Sequence, residues 1–96
     1  MRPSEALNFH RENIRRIFAE NNTLNPRIFG SVIHGIDNDD SDLDILVDPT
    51  PETTLLDIAR IQSRLQQILG VSVDVLTPKA LPEKFRESVL KEAIQL

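Results

Sequence analysis

Residues 28–48 read IFGSVIHGIDNDDSDLDILVD, and this stretch organises the rest of the chain. A short apolar run ends in Gly30 and Ser31, and ten residues, acidic toward their end, separate it from Asp42. The tripeptide DLD, from Asp42 to Asp44, then opens a second apolar run. Because side chains alternate between the two faces of a β-strand, Asp42 and Asp44 are predicted to project from one face while the apolar residues face a core.

The residue types in this stretch point to metal and phosphate chemistry. The carboxylates of Asp42 and Asp44 repel each other, and a cation between them would relieve that repulsion. Mg²⁺ favours such a site, with a few carboxylates, its own waters and substrate phosphates. Gly30 permits a turn and the close approach of a ligand. Ser31 is predicted to cap a helical turn whose free N–H groups can bind an anion.

A third carboxylate lies in the segment VSVDVL, residues 71–76. Three valines alternate with more polar residues in this segment, which is the pattern of a half-buried strand. Asp74 therefore lies on a predicted strand, on the face opposite the valines.

Composition limits the classes of protein to which the chain can belong. Its 96 residues correspond to a single domain, 1–96. It has no cysteine and no apolar run near the roughly 20 residues of a membrane helix, so a cytoplasmic location without a membrane role is expected. The net charge of −4 and the lack of tyrosine and tryptophan argue against direct nucleic-acid binding.

The remaining pattern predicts an α+β fold in the order α-β-β-α-β-α. The short loop between the first two strands favours an antiparallel pair, and the helix before the third strand favours a parallel crossover. The expected architecture is a small mixed β-sheet with flanking helices. Its predicted elements are helices over 2–21, 51–69 and from Pro82 onward, and strands over 27–29, 42–47 and 71–76.

The Gly-Ser pair, the spaced DxD and the later strand Asp together resemble the signature of the DNA polymerase β-type nucleotidyltransferases. The closest likeness is to the minimal nucleotidyltransferases (MNT), which are paired in prokaryotes with HEPN partners as toxin–antitoxin systems. The resemblance implies the nucleotidyltransferase fold and transfer of AMP from ATP to a hydroxyl. It also implies that Asp42, Asp44 and Asp74 hold two Mg²⁺ ions, and that Gly30 and Ser31 bind the nucleotide.

Three functional interpretations follow from the resemblance. The first is an adenylyltransferase that modifies a hydroxyl, most simply a tyrosine, of a HEPN toxin and so acts as its antitoxin. The second is a catalytically weak or inactive antitoxin that neutralises its partner by binding alone. The third, an enzyme that modifies a small molecule or a nucleic-acid end, needs an additional domain. One departure bears on the choice: Val32, Ile33 and His34 stand where relatives often carry arginines after Gly-Ser.

Overall fold

The structure is a computed structural model that describes every residue from Met1 to Leu96. Its elements follow the predicted order, with one further strand at the end of the chain. They are α1 (Pro3–Glu20), β1 (Thr23–Phe29), β2 (Leu43–Pro49), α2 (Leu55–Leu69), β3 (Val73–Leu76), α3 (Glu83–Glu92) and β4 (Ile94–Gln95), with single 3₁₀ turns at Gly30–Val32 and Pro78–Ala80. None of the helices is long and apolar enough to cross a membrane.

The four strands form one mixed sheet in the order β3-β2-β1-β4. The β1–β2 pair is antiparallel and the β2–β3 pair is parallel, which confirms the prediction from the two connections. Strand β2 thus lies between two neighbours, and β3 is an edge strand. The candidate site residues at the start of β2 and β3 are therefore held at one end of the sheet.

The hydrophobic core lies on one face of the sheet, beneath α1 and α2. Alternation along β2 buries Leu43, Ile45 and Val47 completely. Helix α1 contributes the predicted face, which includes Ile14 and Phe18. Burial of each such side chain contributes about 1.5–3 kcal/mol to the free energy of unfolding. The opposite face of β2 is left to Asp44, Leu46 and Asp48, and this is the face of the candidate site.

The start of α2 differs from the prediction. The sequence placed it at Pro51 with Thr50 as the cap, whereas the helix begins at Leu55. Thr54 is the cap, because its hydroxyl accepts a hydrogen bond from the Asp57 N–H at 3.1 Å. The end is as predicted, since Gly70 follows the last helical residue in a left-handed conformation.

The end of the chain also differs from the prediction. The sequence extended the third helix through Ile94, but α3 ends at Glu92 and the chain then runs alongside β1 as β4, where Ile94 pairs with Ile28. The predicted apolar face of this helix does not join the core, because no residue of α3 is buried and Phe85 is 54% exposed. Helix α3 is held instead by Arg86, whose guanidinium donates hydrogen bonds to carbonyls of the Pro78–Ala80 turn and of Leu81.

Candidate active site

Two of the three predicted carboxylates are direct neighbours across the sheet. Asp44 on β2 is the register partner of Asp74 on the parallel strand β3, about one strand spacing of 4.8 Å away. On its other side Asp44 pairs with Phe29 at the end of β1. Asp42 lies one residue before β2 rather than within it, and its side chain is exposed. All three carboxylates are at the same end of the sheet, because β2 and β3 are parallel and Asp44 is in register with Asp74.

The electrostatics of Asp44 differ from those of an ordinary surface carboxylate. Burial raises its pKa to about 6, and the negative charges of Asp74 and Asp42 add to the rise. None of these three side chains forms a hydrogen bond or an ion pair within the chain. The sheet therefore holds a half-buried carboxylate between two others without any internal cation to balance them.

Asp48 on the same face of β2 shows the contrasting arrangement. Its carboxylate receives two hydrogen bonds from the Arg27 guanidinium, both at 3.1 Å, and a third from Asn25. These contacts lower the pKa of Asp48. The basic side chain on this part of the sheet is thus committed to Asp48, and Asp44 is left free to bind an external cation.

Gly30 is required by the position of Asp44. Its φ is +80°, a left-handed conformation that favours glycine. A Cβ atom on residue 30 would lie well inside van der Waals contact of the Asp44 carboxylate oxygen and 3.3 Å from its Cγ. The sequence predicted the close approach of a ligand to this glycine, which stays a prediction; the structure shows the Asp44 carboxylate packed against it.

Ser31 does not act as the predicted helix cap. It lies inside the 3₁₀ turn Gly30–Val32, whose capping position is Phe29. Its carbonyl accepts a hydrogen bond from the Ile36 N–H at 3.2 Å, while its hydroxyl has no partner within the chain. The hydroxyl is therefore available to a ligand, on the residue that follows the glycine in contact with Asp44.

The loop between β1 and β2 is fixed by two contacts that the sequence did not reveal. Asp37 is buried and its carboxylate accepts a hydrogen bond at 2.9 Å from the Ser4 N–H in the first turn of α1. His34 pairs with Glu92 at the end of α3, at 3.2 Å. Each contact joins positions more than thirty residues apart, so no local pattern could have indicated it.

The carboxylates form a suitable donor set for a divalent cation but are not gathered into a closed cluster. No group of three acidic or histidine side chains converges as a ready metal centre. Oxygen donors of this kind are the ligands that Mg²⁺ prefers, and they are free of competing partners. The donor chemistry of Asp42, Asp44 and Asp74 suits Mg²⁺, and their role as its ligands stays a prediction.

Comparison with known proteins identifies the family to which the chain belongs. Residues 12–96 match the family described as polymerase β, nucleotidyltransferase. A solved structure provisionally assigned as a minimal nucleotidyltransferase is 42% identical, with a TM-score of 0.86 over 97% of this chain and 95% of that chain. This chain belongs to the polymerase β-type nucleotidyltransferases, in the minimal nucleotidyltransferase (MNT) family. The fold and family predicted from the sequence are confirmed.

Two named relatives of this MNT chain come from archaea. A provisionally named protein adenylyltransferase of Methanocaldococcus jannaschii is 36% identical over 69 residues, which are 72% of this chain and 74% of the relative. The protein adenylyltransferase MntA of Thermococcus cleftensis is 34% identical over 67 residues, which are 70% of this chain and 68% of the relative. The enzyme class expected from the sequence agrees with these relatives.

More distant structures share the fold of this MNT chain. One is the complex of a tri-AMPylated HEPN toxin of Shewanella oneidensis with an MNT antitoxin, in which the matched chain has a TM-score of 0.68. The match covers 92% of this chain and 69% of that chain at 17% identity. At that identity the likeness establishes the fold alone.

The close packing of Gly30 against Asp44 leads to a prediction for Gly30→Ala. The left-handed conformation alone costs an alanine about 1–2 kcal/mol, and the clash with the carboxylate adds to this. Gly35→Ala is the matched control, because Gly35 has a similar φ of +68° but no atom within 4 Å of the position that a Cβ would occupy. Thermal melts should show a clearly larger loss for Gly30→Ala, and equal losses would contradict the contact with Asp44.

Proposed function

We propose that this protein is a Mg²⁺-dependent protein adenylyltransferase that transfers AMP from ATP to a tyrosine hydroxyl of a HEPN toxin and thereby acts as its antitoxin. One observation carries the proposal. The three carboxylates of Asp42, Asp44 and Asp74 have no partner within the chain and lie at the end of the sheet where the turn Gly30–Val32 begins. The 96 residues would act as a single catalytic domain. These 96 residues contain no tyrosine, so a tyrosine acceptor does not lie within them.

The reaction breaks a phosphoanhydride bond of ATP and forms a phosphate ester bond to the acceptor. The acceptor oxygen attacks the α-phosphorus of ATP, and the bond from that phosphorus to the bridging oxygen of the β-phosphate breaks. Pyrophosphate leaves with the electron pair of the broken bond, and the proton of the acceptor hydroxyl passes to a base. Nothing is oxidised or reduced. The protein has to hold the two reacting oxygens in line and to receive the proton.

The chain provides a residue for each of these tasks. Asp42 and Asp44 would hold both metal ions between them, and Asp74 would complete the shell of the ion nearer the acceptor. Asp74 would also receive the acceptor proton, and its exposed, unpaired carboxylate supports that role. Mg²⁺, when bound, would supply positive charge for the phosphates and lower the pKa of the acceptor hydroxyl.

The turn at Gly30–Val32 would bind the triphosphate. The Ser31 hydroxyl has no partner within the chain and can donate to a phosphate oxygen, and the backbone N–H groups of the turn can do the same. Gly30 lets this turn approach Asp44 closely, so the phosphates and the metal ligands would be within reach of one another. The names of both archaeal relatives describe the same activity, adenylylation of a protein.

One observation favours a second candidate function, an antitoxin that acts by binding alone. The loop after Ser31 brings no cation to the site. Val32 and Ile33 pack against the core, and His34 is paired with Glu92. Phosphate charge would thus be balanced by metal ions with little help from side chains. The deciding experiment is incubation with Mg²⁺-ATP and a co-encoded HEPN partner, followed by measurement of the partner's mass, which is developed in the Discussion.

Ser31→Ala tests the proposed role of the Ser31 hydroxyl in binding ATP. The loss of one hydrogen bond to a charged group is worth about 1.5–3 kcal/mol, so ATP should bind roughly ten- to hundredfold more weakly. The melting temperature without nucleotide should not change, because the Ser31 hydroxyl has no partner within the chain. Titration of ATP in the presence of Mg²⁺ measures the effect. Ser88→Ala on the exposed face of α3 serves as the control, and equal affinities in both variants would remove Ser31 from the site.

A further inference from the structure

Two glutamine side chains of α2 hold the outer edge of strand β3. The Gln62 side-chain oxygen accepts a hydrogen bond from the Val75 N–H at 3.0 Å. The Gln66 side-chain oxygen accepts one from the Val73 N–H at 3.1 Å. The backbone N–H groups of Val73 and Val75 lie on either side of Asp74, the third of the candidate metal ligands.

The pairing follows from the geometry of the two elements. Gln62 and Gln66 are four residues apart, so they lie on the same face of α2 with a rise of about 6 Å between them. Val73 and Val75 are two residues apart on a strand, about 6.6 Å, and their N–H groups point to the same side. Because these two lengths nearly match, each outward-pointing backbone N–H of β3 can donate a hydrogen bond to one glutamine side chain.

These two hydrogen bonds matter because no strand pairs with the outer edge of β3, although Val73 and Val75 are packed in the core. It is a four-residue edge strand with a neighbour on one side only. The Asp74 side chain is exposed and has no hydrogen bond of its own, so its position depends on the backbone that carries it. The ladder to β2 fixes that backbone from one side, and the two glutamines fix it from the other.

We propose that Gln62 and Gln66 are positioning residues that hold Asp74 in place to bind the metal ion. The proposal rests on the function proposed above, in which Asp74 is a metal ligand, and extends it to two residues on a different element. A purely structural role would be the alternative. In that case the glutamines would satisfy the edge amides and prevent strand addition there, without any effect on the ion.

The test uses Gln62→Met/Gln66→Met, which keeps side-chain length and helix propensity but removes both acceptor oxygens. Gln67→Met is the matched control, since Gln67 is an exposed residue of the same helix without a hydrogen bond to β3. Gln62→Glu/Gln66→Glu is the conservative variant, because a carboxylate oxygen can still accept from both amides. The single methionine variants replace the double one if it does not fold.

Two measurements are made on the full chain. Amide hydrogen exchange reports whether the Val73 and Val75 amides have lost their partners. Titration of Mn²⁺ in the presence of AMP-PNP reports binding at the metal site and does not depend on turnover. Loss of residues that orient metal ligands typically weakens metal binding by about tenfold or more. We expect faster exchange and about tenfold weaker Mn²⁺ binding in the methionine variant, with both properties recovered in the glutamate variant and unchanged in Gln67→Met.

The outcomes separate this proposal from the proposed function. Faster exchange with unchanged Mn²⁺ affinity would overturn the positioning role and leave edge protection. Unchanged exchange in the methionine variant would show that the two hydrogen bonds do not form, and would also overturn the positioning role. If the wild type binds Mn²⁺ but transfers no AMP to a partner, the proposed function fails, while the comparison of Mn²⁺ affinities still decides the role of the glutamines.

Discussion

Asp44→Asn is expected to abolish AMP transfer while leaving the metal-free protein as stable as the wild type or more stable at pH 7. Asp44 is the half-buried carboxylate that both Asp42 and Asp74 influence, and its loss removes one of the two carboxylates that would hold both proposed ions. The stabilisation that a metal ion gives to the transition state is worth several kcal/mol, and the transfer rate should fall by more than about a hundredfold. The same substitution relieves the repulsion among three unbalanced charges.

The pH dependence of stability follows from the raised pKa of Asp44. Its pKa is about 6 in the folded protein against an ordinary value of 3.8. The folded state therefore binds the Asp44 proton more tightly than the unfolded state does. The resulting stabilisation is fully present below pH 3.8 and is lost as the pH rises to about 6. Asp44→Asn should remove this fall in stability between the two values.

The size of this effect is limited by solvent. A pKa of about 6 would correspond to at most ~3 kcal/mol, and because Asp44 is only half buried, screening reduces the expected contribution to about 1 kcal/mol. Chemical denaturation of the metal-free protein at several pH values, for wild type and Asp44→Asn, measures it. Mg²⁺-ATP should raise the melting temperature of the wild type and not that of the variant.

Asp48→Asn is the matched control for this experiment. It removes a carboxylate from the same face of the same strand, but one that is paired with the nearly buried Arg27 guanidinium. The loss leaves that guanidinium without its ion-pair partner, so Asp48→Asn should destabilise the protein at pH 7. If Mg²⁺-ATP raised the melting temperatures of wild type and Asp44→Asn equally, the proposed metal role of Asp44 would be wrong.

The arrangement of the carboxylates could be predicted from the sequence because strand periodicity is local. Alternation alone placed Asp44 and Asp74 on the face opposite the core valines and the core residues Leu43, Ile45 and Val47, and the short loop and the helical crossover made their strands neighbours. An error of one residue in the start of β2 did not change that face. The side of a strand is set by its period of two, which does not depend on where the strand begins.

Features that depend on distant contacts could not be predicted in this way. The pairing of Asp37 with Ser4 and of Gln62 and Gln66 with the edge of β3 leaves no periodic pattern. The sequence around Ile94 is compatible with a helix, and only the free edge of β1 makes it a strand. Tertiary contacts override local propensity at such positions.

A HEPN partner incubated with this protein and Mg²⁺-ATP is expected to gain about 329 Da for each AMP attached, on tyrosine. A tyrosine acceptor does not lie within these 96 residues, because they contain no tyrosine. It would dock over the mouth formed by Ser31, Asp42, Asp44 and Asp74, where three carboxylates have no partner within the chain. Intact-mass spectrometry of the partner measures the gain, and peptide mapping identifies the residue.

Asp42→Ala separates catalysis from docking in the same experiment. Asp42 is exposed, lies before β2 and makes no side-chain hydrogen bond, so its loss should not alter the fold and removes only one small side chain from the proposed docking surface. The variant should bind the partner with nearly unchanged affinity and produce no mass gain, because metal positioning and docking are separate contributions. If the wild type binds and neutralises the partner without any change in mass under any nucleotide, the enzymatic proposal is wrong. The carboxylates would then belong to an antitoxin that acts by covering its partner.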